Sequence, residues 1–190
     1  MQKRWSGTKT LSWLFAITLL GLGGCAAPQY DAQTDKLIST LQSDVDTQLV
    51  SLISLDHKIA GLKGSSDSTS QKALAEATTK AGYDANSGFY DKIDVELTSL
   101  ALRVDAAPND STARIDVAIK ALRDNLLGRD IKGSLQNVHL ASGVLDESYL
   151  TSEQGILNTQ FQALLTYELV LKNGSDGAAS TPAKPATTAN

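Results

Sequence analysis

The stretch "KLISTLQSDVDTQLVSLISLDHKIAGL", residues 36–62, decides the fold that we predict for this chain. Its large apolar side chains recur at steps of three and four residues, which indicates an amphipathic helix with one buried face. Asp31 is a suitable N-cap for this helix, and Gly64 is a suitable stop. Gln48 is the one polar exception on the a and d positions of its heptads, which otherwise hold Ile38, Leu41, Val45, Leu52, Leu55, Ile59 and Leu62.

The same periodicity returns in residues 83–104, which we predict to form a second helix that ends before Pro108. The alanine-rich residues 71–82 precede it and carry a single large apolar side chain. We expect them to form a weakly docked first piece of this helix, broken near Gly82 or Gly88.

A third helix is predicted to open near Asp110 or Ser111 and to stop at Ser142-Gly143. Gly128 and Gly133 allow a kink within it, after which the apolar stripe continues on a shifted face. That stripe consists of Ile115, Ile119, Leu122 and Leu126 before the kink and Ile131, Leu135 and Val138 after it.

A fourth helix is predicted to begin after Asp146, with leucines at every seventh position from Leu150 to Leu171. From residue 173 onward the chain has no apolar side chain larger than alanine, so residues 173–190 are expected to be disordered. The predicted fold is therefore all-α, an antiparallel bundle of three to four long helices over residues 31–172 with a disordered C-terminal tail. In the three-helix version, residues 71–82 pack poorly.

The beginning of the chain has the layout of a secretory signal peptide. Residues 1–10 contain three basic side chains and no acid, and residues 11–24 contain no charge. This apolar run is too short for a permanent membrane-spanning helix, which needs about 20 residues. We therefore expect residues 1–24 to be a leader.

Leu22-Gly23-Gly24-Cys25 resembles the lipobox of bacterial lipoproteins. The resemblance implies that the thiol of Cys25 receives a diacylglycerol, that the leader is cut just before it, and that the new amino group is acylated. Residues 25–30 would then be the lipidated cysteine and a short tether. In this family, Ala26 after the cysteine implies the outer membrane rather than the inner one. The alternative to a lipobox is an ordinary signal peptide in which the cysteine occurs by chance.

Composition restricts the partners of the mature chain. The 190 residues include 17 basic and 21 acidic side chains, and the leader removes Lys3, Arg4 and Lys9 but no acid. An acidic chain without a basic cluster is poorly suited to nucleic acids, so we expect no nucleic-acid partner. Because Cys25 is the only cysteine, no internal disulfide can form.

The motif search predicts no catalytic residue, no metal site and no cofactor. The chain contains no C-x-x-C-H haem motif, no Glu-x-x-His pair for a di-iron site and no G-x-S-x-G elbow. Residues 84–95 resemble a calcium loop but have Phe89 where glycine is needed and Val95 where glutamate is needed. His57 and His139 are both expected on outer helix faces, away from any ligand.

The most apolar segment of the chain is residues 157–174. It is either the central helix of the bundle, buried on two sides, or it presents a surplus face to a partner. The candidate partner surface consists of Phe161, Leu165, Tyr167 and Leu169.

These observations favour a non-enzymatic lipoprotein, tethered to the membrane through its N-terminal lipid, which acts as a scaffold or interaction module for another envelope protein. The alternative is a carrier of a small molecule or lipid with a cavity between the helices. The regular filling of the a and d positions argues against that cavity.

Overall fold

The computed structural model describes residues 30–106, 112–128 and 131–179, without the side chains of residues 112–114 and 174–179. Every regular element within these ranges is a helix, which confirms the predicted all-α class. The elements are α1 (Ala32–Leu62), α2 (Ser68–Ala81), α3 (Tyr83–Asp105), α4 (Thr112–Leu127), α5 (Leu135–Ser142) and α6 (Glu147–Ala179). Over the described residues, six helices thus replace the three or four long ones that the sequence predicts.

Helix α1 confirms the predicted cap and most of the predicted register. Asp31 Oδ1 accepts a hydrogen bond from the backbone N–H of Gln33 at 3.0 Å. Leu49, rather than Gln48, is buried, and Leu55 and Leu62 are only partly buried. A straight helix of 3.6 residues per turn drifts by about 20° per heptad, so the d positions of the last heptads rotate away from the core.

One apolar core joins α1, α3, α4, α5 and α6. Tyr90 and Phe161 are its largest fully buried side chains, and aliphatic residues fill the rest. Interdigitated aliphatic side chains of this kind pack at crystal-like density. Members from every one of these helices are at most 1% exposed, among them Ile38, Leu97, Leu122, Leu135 and Leu157.

Helix α2 is a separate helix, and the predicted break at Gly82 is confirmed. Asp67 caps its start by accepting a hydrogen bond from the backbone N–H of Ser70 at 2.8 Å. Ala77 and Ala81 are buried beside Ile59 in a second, small apolar cluster. Residues 71–82 therefore dock on α1 through small alanine side chains.

The predicted third helix is two helices, because α4 ends at Leu127 and α5 begins only at Leu135. A Cβ atom at this position would lie 2.5 Å from the carbonyl oxygen of Asp124, so only glycine fits. The Gly128 carbonyl accepts hydrogen bonds from Ile131 N at 3.0 Å and Asn137 Nδ2 at 2.6 Å. These bonds replace the helical ladder, and the prediction of a kinked but continuous helix is wrong.

Polar contacts identify which helix ends meet. At one end, which we call the Asp31 end, Arg103 of α3 donates to Asp31 at 2.7 Å, and Lys172 of α6 lies 5.6 Å from the centre of the Tyr30 ring. At the other end, which we call the Glu147 end, His57 of α1 contacts Glu147 of α6 at 2.7 Å.

The last helix is longer than predicted. It continues through residue 179, seven residues past the predicted boundary at 172, whereas residues 180–190 of the predicted tail lie outside the described residues. None of the helices that the structure describes is both long enough and apolar enough to cross a bilayer.

Candidate functional site

The N-terminal features that the sequence predicts lie outside the described residues. These are the leader, the lipobox residues Leu22, Gly23 and Gly24, the lipidation site Cys25, and Ala26. The described chain begins at Tyr30, at the Asp31 end.

The structure places the four residues of the candidate partner surface in different environments. Phe161 is 1% exposed and belongs to the core, so it cannot contribute to a surface. Leu165 and Tyr167 are half-buried and pack against the core, while Leu169 is exposed. Of the four residues of the candidate partner surface, only Leu169 is therefore freely accessible.

The two histidines also differ. His57 is exposed, as predicted, and forms an ion pair with Glu147 when it is protonated. His139 is 0% exposed, so the prediction that it faces outward is wrong. Helix α5 buries Leu135 and His139, which are four residues apart, rather than Leu135 and Val138.

His139 lies at the junction of α2, α3 and α5 and uses both ring nitrogens. Its Nε2 is 2.8 Å from the carbonyl oxygen of Ala81, and its Nδ1 is 2.7 Å from the hydroxyl of Tyr90. Tyr83 stacks on Tyr90 with ring centres 5.6 Å apart and receives a hydrogen bond from Gln136 at 3.0 Å. We call His139, Tyr90, Tyr83 and the Ala81 carbonyl the His139 cluster.

The partners of His139 determine its tautomer. A carbonyl oxygen can only accept, so Nε2 carries the proton and donates to Ala81. Nδ1 of the neutral ring then accepts from the Tyr90 hydroxyl. Burial lowers the pKa of His139 and thereby keeps the ring neutral. With both nitrogens occupied, this histidine has a structural role and is not a free base.

A sequence signal for this role existed. Ala81 is the last residue of α2, and the final carbonyls of any helix lack partners within the helix. The nearby side chain of Asn86 donates to the carbonyls of Lys80, at 2.9 Å, and Gly82, at 2.8 Å, on either side of Ala81. Because the Ala81 carbonyl also lacks a partner within the helix, a further donor is expected for it. The sequence does not identify His139 as that donor.

The Asp31 end holds the second polar cluster. Asp31 Oδ2 accepts from Thr34, at 2.9 Å, and from Arg103. Although partial burial opposes the change, these hydrogen bonds hold the pKa of Asp31 below its ordinary value. The hydroxyl of Tyr30 donates to Asp35 at 2.9 Å. We call Tyr30, Asp31, Asp35, Arg103 and Glu168 the Glu168 cluster.

Glu168 is the buried member of this cluster, with an exposure of 3%. Its Oε2 has no hydrogen-bond partner among the described residues. Burial, and then the negative charges of Asp35 and Asp31, raise the pKa of Glu168 to about 7. This carboxyl group therefore changes its charge near neutral pH.

Three surface clefts, with volumes of about 330, 360 and 590 Å³, are open to solvent. The first is lined by Asp91, Asp94 and Asp124 together with Arg123. Over the described parts of the chain, no three His, Cys, Asp or Glu side chains are grouped closely enough to hold a metal ion.

No protein-family model, no curated protein and no solved structure matches this chain.

Proposed function

We propose that this chain is a lipid-anchored lipoprotein of the bacterial cell envelope, attached through Cys25 to the outer membrane and facing the periplasm. Its body is an antiparallel helical bundle that acts as a non-enzymatic scaffold or interaction module for an envelope protein. The observation that carries the proposal is the arrangement of basic head, apolar run, Leu22-Gly23-Gly24 and sole cysteine in the first 25 residues.

The contacts between helix ends support the bundle. Asp31 meets Arg103 at one end of α1, while Asp44 meets Lys92, nearer the start of α3, at 2.8 Å. The chain therefore runs in opposite directions along α1 and α3. The contacts of α1 with α6 at the two ends give the same relation for that pair.

The state of the two histidines supports a structural rather than a catalytic role for them. A general base must offer a free nitrogen or oxygen to its substrate. His139 offers neither of its nitrogens, because Ala81 and Tyr90 occupy them. His57 is exposed, and its ring contacts the Glu147 carboxylate rather than the hydroxyl or thiol of a nucleophile–base pair.

The anchor is tested with Cys25→Ser in the full chain. We expect the variant to take up no labelled fatty acid and to keep its leader or leave the membrane fraction, because only the thiolate can accept the lipid. The matched control adds Ser39→Cys to the Cys25→Ser variant, which restores one thiol at an exposed position outside the lipobox. This second change should not restore lipid labelling. Unchanged lipid labelling of Cys25→Ser would contradict the proposal.

The interaction role is tested by photocrosslinking in cells. A crosslinking residue replaces Val95 or Leu102, which are 67% and 64% exposed and lie seven residues apart on the outer face of α3. We expect one defined envelope protein to be captured. Recovery of only abundant lipoproteins and porins would count against a specific partner.

A further inference from the structure

The outward side of α6 carries no charge over most of its length. Between residues 148 and 171, Glu153 and Glu168 are the only Asp, Glu, Lys or Arg residues in the sequence. Both are buried, with exposures of 9% and 3%, so they face the bundle. Burial raises the pKa of each, so the inward position of these carboxylates carries an electrostatic cost once they ionise.

The exposed side chains on the outward side are uncharged, and most of them are small, hydroxylic or apolar. Three positions seven residues apart, Ile156, Ala163 and Val170, are exposed, and Leu169 is exposed beside them. We call the exposed residues from Ile156 to Val170 the outer face of α6. Charged residues make up one fifth of the whole chain, whereas the outer face of α6 has none. An exposed face of this length without charge differs from the rest of the chain and indicates a contact surface.

We propose that the outer face of α6 rests on the lipid bilayer that holds the anchor. This inference rests on the proposed function, because it requires the lipid on Cys25. It goes further in stating which side of the bundle meets the membrane and which residues make the contact.

The length of chain outside the described residues supports this orientation. Five residue steps separate Tyr30 from Cys25, and an extended chain covers at most about 17 Å over them. The contact of Lys172 with the Tyr30 ring places the last turns of α6 beside the point where this tether leaves the bundle. Val170 is less than one helical turn from Lys172, so it belongs to the same end of α6.

The further extension of α6 favours a bundle that leans on this face. Helix α6 continues for seven residues beyond Lys172, which corresponds to about 10 Å. In an upright posture this end would meet the headgroups first and would use most of the tether. A lean toward α6 shortens the distance to the anchor and lays Leu169 and Val170 on the interface.

The chemistry of the face fits a neutral lipid interface. Thr159, Thr166 and Gln162 can bond to headgroups and water, while Ile156 and Val170 can enter the acyl boundary. The face lacks the cationic side chains that anionic lipids attract, so we expect binding to zwitterionic phosphatidylcholine. At the Asp31 end, Asp31 is paired to Arg103 of α3, and Asp35 accepts a hydrogen bond from Tyr30.

The test uses the absence of tryptophan after residue 24, since Trp5 and Trp13 both lie in the leader. Val170→Trp and Ile156→Trp place a single fluorophore on the outer face of α6. The matched control, Val95→Trp, changes a valine of similar exposure (67% against 62%) on α3. Each full-length variant is purified with its lipid and reconstituted into phosphatidylcholine vesicles with or without brominated acyl chains.

A side chain in the interface lies about 5–10 Å deep, where brominated chains quench it, so we expect the fluorophores at positions 156 and 170 to lose about half of their emission. The control at position 95 should lose almost none. Equal quenching at all three positions, or none at 156 and 170 in vesicle-bound protein, would overturn the inference.

The same preparations separate this inference from the proposed function. Mass spectrometry of the N-terminal peptide shows whether Cys25 carries acyl chains. A bare thiol overturns the proposed function and the inference with it, whereas an acylated protein without quenching overturns the inference alone. Circular dichroism of each variant confirms that the helices are retained.

Discussion

The His139 cluster and the Glu168 cluster each bury one titratable side chain, but they treat it differently. His139 has a partner on both ring nitrogens, and burial keeps it neutral. Glu168 has an oxygen without a hydrogen bond among the described residues, and burial together with two neighbouring carboxylates raises its pKa to about 7. The first cluster joins three helices through a neutral imidazole ring, while the charge of the second depends on the pH.

The difference shows that burial alone does not determine the role of a polar group, because the number of its hydrogen-bond partners also matters. A buried group with all its hydrogen bonds stabilises one arrangement of helices, and its removal leaves its partners unsatisfied. A buried carboxyl group without them costs stability once it ionises. The following predictions separate these two effects.

The largest effect is expected for His139→Leu. Leucine removes the donor to Ala81 and the acceptor for Tyr90, and two orphaned buried groups cost about 3 kcal/mol of the free energy of unfolding. Urea denaturation measures the loss. His57→Leu is the matched control at an exposed position and should change stability by about 0.5 kcal/mol or less. Equal losses in both variants would show that the buried hydrogen bonds of His139 do not contribute to the free energy of unfolding.

Tyr90→Phe tests one half of the same cluster. It removes only the hydroxyl that donates to His139 Nδ1, so we expect a loss of about 1–2 kcal/mol. The control Tyr30→Phe removes a hydroxyl that donates to Asp35 near the surface and should cost less. In the double variant His139→Leu/Tyr90→Phe the losses should fall short of their sum, because both single changes break the same bond.

Glu168→Gln should make stability less dependent on pH. In the unfolded chain this carboxyl group ionises near its ordinary pKa of 4.5, whereas in the folded chain it holds its proton until about pH 7. Stability from this group is therefore present below pH 4.5 and is lost as the pH rises through 7.

Relative to the native chain, the glutamine variant should gain about 2–3 kcal/mol between pH 4 and pH 8, because each pKa unit corresponds to about 1.4 kcal/mol. Thermal unfolding at a series of pH values measures this difference. Glu76→Gln, on the exposed surface of α2, is the control and should show no such gain. A constant offset between the Glu168→Gln and native curves would contradict the assignment.

The smallest effect is expected for Asp31→Asn. Asparagine caps a helix about as well as aspartate, so only the exposed ion pair with Arg103 is lost, at a cost of about 0.5 kcal/mol. The variant also removes one of the charges that raise the pKa of Glu168. The pH at which stability falls should therefore shift downward, which the same pH series would detect.

Much of the fold follows from the sequence because local patterns encode it. The steps of three and four residues in α1, the cap at Asp31 and the stops at Gly82 and Gly143 all depend on nearby residues. The division of the third helix at Gly128 could not be predicted in the same way. It depends on the Asn137 side chain, nine positions away, which bonds the Gly128 carbonyl.

The candidate sites were less predictable because they depend on contacts between distant segments. His139 is buried by a partner 49 residues away on α3 and by one 58 residues away on α2. Phe161 and Leu169 look equally apolar in the sequence, yet only the arrangement of α1 and α4 around α6 decides that one is core and the other is surface.

The separate docking of α2 has a consequence for folding. Its apolar cluster of Ile59, Ala77 and Ala81 is distinct from the main core and buries mostly methyl groups. Little of the hydrophobic free energy of the molecule is therefore at stake when α2 detaches. Amide hydrogens in α2 should accordingly exchange with deuterium before those of α1, through an opening that leaves the main core closed.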